Sequence, residues 1–244
     1  MDMFSSPDFW IAVGQIIMID ILLGGDNAVV IALACRKLPA AQRTQGIIWG
    51  TAGAIGLRVV LIFFALTLLA IPFLKIVGAV LLVWIGVKLL APEEEGEHEV
   101  QASDKLWAAI KTVIVADLVM SVDNVIAIAG AAESAGGDSK MPLVVFGLLV
   151  SIPIIVWGSQ LVIKLMDRFP MVITVGGMLL GWIAGTMAVS DPAVIPYMAT
   201  QPAARPELPP EVLPALRYGA GISGALLVLA LGVILKRRAT PSAP

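Results

Sequence analysis

Asp20-Ile21-Leu22-Leu23-Gly24-Gly25-Asp26-Asn27 has a counterpart 97 positions later, Asp117-Leu118-Val119-Met120-Ser121-Val122-Asp123-Asn124, and this pair of segments decides how the chain is read. At the same shift Trp10 meets Trp107 and Ala12 meets Ala109, while Ile31, Ala32 and Ala34 meet Ile128, Ala129 and Ala131. After one inserted residue the match resumes at a shift of 98, where Pro72, Val77, Gly78, Leu81, Leu82, Trp84 and Ile85 meet Pro170, Val175, Gly176, Leu179, Leu180, Trp182 and Ile183. Apolar sequence produces chance Leu and Ile matches, but not Asp, Asn, Trp and Pro paired in order, so the chain contains an internal repeat.

The setting of that repeat is lipid. Of 244 residues, 59% are hydrophobic and 14% charged, and the mean hydropathy is +0.94, well beyond the balance of soluble domains. A spanning helix needs about 20 apolar residues. Seven stretches qualify: Phe9–Ala34, Gly46–Ala70, Phe73–Leu90, Leu106–Ala132, Leu143–Leu165, Met171–Val189 and Leu216–Leu235. Each repeat holds three of them, an odd number, so the second copy enters the membrane from the opposite side. The expected fold is therefore all-α and membrane-embedded: seven transmembrane helices, with a 3+3 inverted-topology repeat plus a seventh helix, an architecture common among secondary transporters.

The chain divides accordingly into a first three-helix repeat (1–91), an acidic cytoplasmic loop (92–105), a second inverted repeat (106–190), a Pro-rich outer loop (191–214), and a seventh helix with a basic tail (215–244). Only Ile71-Pro72 separates spans two and three, which predicts a tight hairpin. The stretch from Asp191 to Pro214 lacks periodicity and reads as an irregular surface loop. Lys and Arg placement sets orientation. With the N-terminus outside and the C-terminus cytoplasmic, one side collects Arg36, Lys37, Arg43, Lys88, Lys105, Lys111, Lys164, Arg168, Lys236, Arg237 and Arg238, and the other keeps Lys75, Lys140, Arg205 and Arg217. Met1 to Asp8 carries two acids and no base, unlike a cleavable signal. A bacterial-type inner membrane is the expected location.

Spans one and four each hold two acids, Asp20 with Asp26 and Asp117 with Asp123. A charge near the bilayer centre costs at least ~2.5 kcal/mol, so four of them need a compensating reason. Arg58, inside span two and matched by Ile155 in the second repeat, reads first as a structural counter-ion to one Asp, the alternative being a tethered positive charge that replaces the substrate during the return step. It cannot neutralise four, and a cation or exchangeable protons must supply the rest. Asp20, Asp26, Asn27, Asp117, Asp123 and Asn124 offer hard oxygen donors suited to Mn²⁺, Mg²⁺ or Ca²⁺. No Cys or His lies beside them, which argues against zinc or copper; the single cysteine, Cys35, excludes an intramolecular disulfide. In an unbroken helix residues six apart lie about 120° apart round the axis and about 9 Å apart along it. Asp20 and Asp26 therefore join one site only if the helix breaks, at Gly24-Gly25 in the first copy and at Ser121 in the second.

These residues resemble the TerC family of integral membrane proteins, its short members in particular. The similarity runs through spans one to six on Ile19-Asp20-Ile21-Leu22-Leu23-Gly24-Gly25-Asp26-Asn27-Ala28 and Asp117-Leu118-Val119-Met120-Ser121-Val122-Asp123-Asn124. It implies export of a metal cation, manganese most often, with the acidic pairs as ion ligands. Where many relatives have Glu, this chain has Asp20 and Asp117. The expected activity is secondary transport of a divalent cation outward, coupled to protons through the paired Asp residues. A cation channel and a membrane-embedded stress or assembly factor are the alternatives.

The other features read as structure. Met120 fills space between the acids, and the run Glu93-Glu94-Glu95-Gly96-Glu97-His98-Glu99 is a solvated charge cluster. Gly46, Gly50 and Gly53, and Gly177, Gly181 and Gly185, are spaced for close helix packing. Lys236-Arg237-Arg238 suits anionic lipid headgroups. A net charge of −2 gives no reason to expect nucleic acid, and no nucleophile–base pair, phosphate loop or redox pair is present. Neither catalysis nor a resident cofactor is expected; the partners are the transported cation and membrane lipid.

Overall fold

A computed structural model describes residues 7–91, 102–134, 140–200 and 211–239, and these are helical almost throughout. The helices are α1 (Pro7–Cys35), α2 (Ala40–Ala70), α3 (Leu74–Leu90), α4 (Ala102–Ser134), α5 (Lys140–Arg168), α6 (Met171–Val189), the single-turn α7 (Ile195–Met198) and α8 (Pro214–Ala239). The acidic loop with His98, expected at 92–105, lies outside the described residues except for its last four positions, which begin α4. Four stretches are long and apolar enough to cross a membrane: Ala40–Phe64, Val144–Arg168, Met171–Val189 and Pro214–Arg238. The sequence suggested seven. Among the described residues of α1 the apolar stretch is the shorter Gly25–Cys35, α3 has 17 residues, and α4 interrupts its apolar run with Asp104, Lys105, Lys111, Asp117 and Asp123. Apolar side chains such as Phe63, Trp157, Met171 and Leu226 point outward, which suits a lipid solvent.

The chain forms two compact units. The first comprises α1, α2 as far as Leu66, α4 and α5, with α1 packed on both α4 and α5. Here α2 approaches α4 through its glycine stripe: a Cβ on Gly50 would lie 3.0 Å from Val113 Cγ1, and one on Gly53 2.6 Å from Ile114 Cδ1. At Gly46 it would meet Leu38, Cys35 and Leu106 together, so the end of α1 and the starts of α2 and α4 converge there. Arg43 pairs with Asp167 at 3.3 Å, bringing the end of α5 to the start of α2. α1 and α4 therefore run antiparallel.

The second unit holds α3, α6 and α8, which all pack on one another. The glycines expected to mediate close packing do so here at backbone level. A Cβ on Gly181 would strike the carbonyl of Gly224, and one on Gly185 the carbonyl of Ala220. Gly177 instead receives the side chain of Leu90.

The α2–α3 turn is as tight as Ile71-Pro72 suggested, and Phe73 closes it with φ 66°, the left-handed region. The segment after α6 departs from the irregular surface loop expected at 191–214. Asp191 is fully buried: its Oδ1 accepts the N–H groups of Phe73 (2.9 Å) and Ala193 (2.8 Å), and its Oδ2 those of Lys75 (3.0 Å) and Ile76 (3.3 Å). A helix N-terminus leaves N–H groups without intrahelical partners. Phe73 has no side-chain acceptor to offer, so Asp191 caps α3 from the far end of α6. Beyond it, Ala199–Thr200 pairs antiparallel with Glu211–Val212. A Pro-rich composition hid both features, because neither depends on periodicity.

Burial alone would push the Asp191 carboxyl up, but the N–H groups of Ala193, Phe73, Ile76 and Lys75 outweigh it and hold it below the usual carboxylate range. A carboxyl lowered by folding contributes stability above its unfolded pKa, about 3.9, and loses it as pH falls through the lowered folded value. Asp191→Asn is therefore expected to lower thermal stability in detergent at pH 7 by about 2–3 kcal/mol, two charge-assisted bonds being weakened or lost. The gap from wild type should narrow below about pH 4. Equal melting at pH 7 would show that the clasp contributes nothing.

Candidate cation site

The site grows from the antiparallel contact of α1 and α4. Cys35 and Leu106 sit at one level, since both lie against Gly46. At ~1.5 Å per residue, Asp26 is ~13.5 Å back along α1 from Cys35, and Asp117 is ~16.5 Å forward along α4 from Leu106. The two acids thus lie at nearly the same depth.

The helix breaks anticipated at Gly24-Gly25 and Ser121 are not found: α1 is helical from Pro7 to Cys35 and α4 from Ala102 to Ser134. Glycine is tolerated in membrane helices, and an unwound turn would leave backbone groups without partners. In continuous helices Asp20 and Asp26 cannot share an ion along α1. The grouping that the fold permits runs across helices, from Asp26 to Asp117.

The two acids differ in their surroundings. Arg58, only 1% exposed, donates from Nη2 to Asp117 Oδ1 at 2.5 Å and from Nε to Ser121 Oγ at 3.0 Å. The Ser121 hydroxyl donates in turn to Asp117 Oδ2 at 3.0 Å. Both oxygens of Asp117 are thereby engaged in a closed, buried ring spanning α2 and one turn of α4. Arg58 is the counter-ion its isolated position suggested, and among the described residues Asp117 is a carboxylate it pairs with.

Asp26 and Asn27 have no such ring. Asn27 is 2% exposed, and neither its amide oxygen nor its amide nitrogen has a hydrogen-bond partner among the described residues. The same holds for Asp26 Oδ1 and for Thr51 Oγ1, which lies two turns before Arg58 on the buried stripe of α2. A buried polar group left unsatisfied costs about 1–3 kcal/mol, so the adjacent pair Asp26-Asn27 marks a place built to receive something polar. Asn124 is half-buried on the Asp117 face of α4. The side chains of Asp20 and Asp123 lie outside what the structure describes, though both positions are helical. Among the described residues no three His, Cys, Asp or Glu side chains gather as a metal cluster. Met120 is buried as core, in line with a space-filling role.

Sequence reading missed Ser121 as a polar participant, and Thr51 as a buried hydroxyl without a hydrogen-bond partner among the described residues. The signal for Ser121 was its place one turn after Asp117 (i, i+4), where a hydroxyl reaches the carboxylate. Thr51 offers no such signal, because threonine is common in apolar helices.

Comparison with known proteins adds the following. The family model described as "Integral membrane protein TerC family" matches residues 5–240. The uncharacterized membrane protein YjbE of Bacillus subtilis is 44% identical over 192 residues, covering 79% of this chain and 85% of that protein. YceF, another uncharacterized membrane protein of Bacillus subtilis, is 27% identical over 198 residues, 78% of this chain and 75% of its own length. The UPF0053 inner membrane protein YgdQ of Escherichia coli K12 is 24% identical over 186 residues, 69% of this chain and 76% of that protein. No solved structure matches.

Proposed function

From the premise that the chain belongs to the TerC family of integral membrane proteins, we propose that it is a secondary transporter exporting a divalent metal cation, manganese by preference, in exchange for protons. The observation that carries the reading is Asp26-Asn27: a carboxylate and an amide in a membrane helix, with buried polar atoms lacking hydrogen-bond partners among the described residues. Dehydrated Mn²⁺ needs oxygen ligands, and a carboxylate beside an amide oxygen supplies two of the right hardness. Asp20, Asp123 and Asn124 are proposed as a second group of oxygen donors about 9 Å further along the same two helices, with Asp117 at the depth of Asp26, and Mg²⁺ and Ca²⁺ are the competing ions. The cation is cargo, and the chain needs no resident cofactor and performs no catalysis. Protons that neutralise the Asp cluster would expel the ion, which couples the two fluxes.

The proposed membrane arrangement is seven spans, α1 to α6 and α8, as a 3+3 inverted repeat plus one, in a bacterial inner membrane with the N-terminus outside. Support comes from the pairing of elements: the first two helices of each repeat share one unit, and the third helix of each shares the other. The antiparallel course of α1 and α4 supports the inversion. So does the meeting of Arg36, Arg43, Lys105 and Arg168 at the ends that converge near Gly46, the proposed cytoplasmic side.

The test is total metal content and metal sensitivity of cells expressing wild type, Asp26→Ala or Asp123→Ala. Wild type should lower cellular manganese and raise tolerance, and both variants should fail to do so. If wild type alters no metal, or both variants match it, the transport reading is wrong. Manganese counterflow in proteoliposomes separates a carrier from a channel, since only a carrier is driven by ion on the opposite side.

A further inference from the structure

We propose that Arg58 is a tethered cation that keeps Asp117 out of the ion's ligand set, so that the site is asymmetric and its charge is set by the protein. The inference rests on the cation-transport reading and adds what that reading leaves open, namely which acids meet the ion. Asp117 spends both carboxylate oxygens inside the ring with Arg58 and Ser121. The repeat denies its counterpart the same ring: Asp20 aligns with Asp117, but Arg58 aligns with Ile155 and Ser121 with Gly24, neither of which can donate a side-chain hydrogen bond. Two halves that began alike therefore differ in charge. In the second, Asp117 is neutralised by a residue of the first, Arg58; in the first, Asp26 and Asn27 keep polar atoms without hydrogen-bond partners among the described residues.

A buried guanidinium stays charged under all working conditions, so Arg58 lowers the pull on a divalent ion without responding to pH. Its removal would free a carboxylate and raise the net negative charge at the depth of Asp26. At the separations of such a cluster, one uncompensated charge changes affinity for a divalent cation by about tenfold or more.

The experiment is titration of purified full-length protein in detergent with Mn²⁺ alone, with size-exclusion and melting checks on each variant. Arg58→Gln should bind Mn²⁺ at least about tenfold more tightly, and Asp117→Asn, which leaves Arg58 uncompensated, should bind it more weakly by a similar factor. The double variant should return to within about threefold of wild type, because charge and counter-charge leave together. Arg58→Lys, keeping the charge on a different shape, should stay close to wild type. A merely structural role predicts instead that Arg58→Gln binds Mn²⁺ more weakly or unchanged, and either result overturns the proposal. If Arg58→Gln does not fold, the double variant decides. Tenfold or greater loss of binding in a folded double variant would make Asp117 a ligand and sink the idea. Wild type that binds Mn²⁺ while the charge cycle fails overturns this inference alone; wild type that binds no divalent cation overturns both.

Discussion

Asp26→Ala is expected to abolish the proposed manganese export while leaving the protein at least as stable as wild type. The two halves of that expectation come from the same atoms. Asp26 Oδ1 is buried with no hydrogen-bond partner among the described residues, so the folded protein carries an unrelieved desolvation cost there. Alanine removes that cost together with the carboxylate beside Asn27, and sites kept for function are often sites where stability is sacrificed. Expected results are cellular manganese at the level of cells lacking the protein, normal amounts of variant in the membrane, and a melting temperature in detergent equal to or above wild type. Asp26→Asn keeps the shape and removes the charge, and should fail in the same way. A scaffold that used Asp26 only for packing would tolerate it, so full export by a folded Asp26→Asn protein would eliminate the proposed role.

Gly185→Val prevents the second unit from assembling. A Cβ at Gly185 would run into the carbonyl group of Ala220 and the nitrogen of Gly221, and the reciprocal contact joins Gly224 to the carbonyl of Gly181. These are backbone atoms on both sides and cannot rotate aside as a long side chain would. Membrane helices gain stability from just such close approach, since lipid provides no hydrophobic drive between them. Forcing α6 and α8 apart over this crossing should cost about 3 kcal/mol or more, the upper range for overpacking. The expected outcome is low yield, aggregation on solubilisation and protease cleavage near α8. Gly219→Ala is the control on the same helix: a Cβ there meets nothing within 4 Å, and the protein should melt at or slightly above the wild-type temperature. If Gly185→Val melts with wild type, the crossing is looser than described.

Much of this was legible before any coordinates. The likeness of the two Asp-Asn segments led to the expectation that α1 and α4 run in opposite directions, and within the first unit they run antiparallel. The glycine spacing announced close packing but not its partners: Gly50 and Gly53 meet side chains of α4, whereas Gly181 and Gly185 meet the backbone of α8, a helix outside the repeat. The acids of spans one and four were found from their cost in lipid, yet nothing in composition could rank them. That Asp117 is held by Arg58 follows from the register of α2 against α4, which the glycine contacts set and a sequence does not display. Helix geometry had demanded broken helices to unite Asp20 with Asp26; the antiparallel pairing of Asp26 with Asp117 removes that demand. Asp191 was missed because its partners lie 115 to 118 positions away, in a region that composition marked as loop.

Those distances also set an order of events during synthesis. When the ribosome has made α3, the acceptor for the N–H groups of Phe73, Lys75 and Ile76 does not yet exist, and it emerges 115 to 118 residues later. At about 5–20 residues per second, the interval is roughly 6–24 s. Throughout it the start of the third helix depends on water for those donors, which keeps that end at the aqueous surface while three further helices are delivered. Final seating of the α2–α3 corner thus waits on a residue just past α6, and a nascent chain released before Asp191 ends with that corner open.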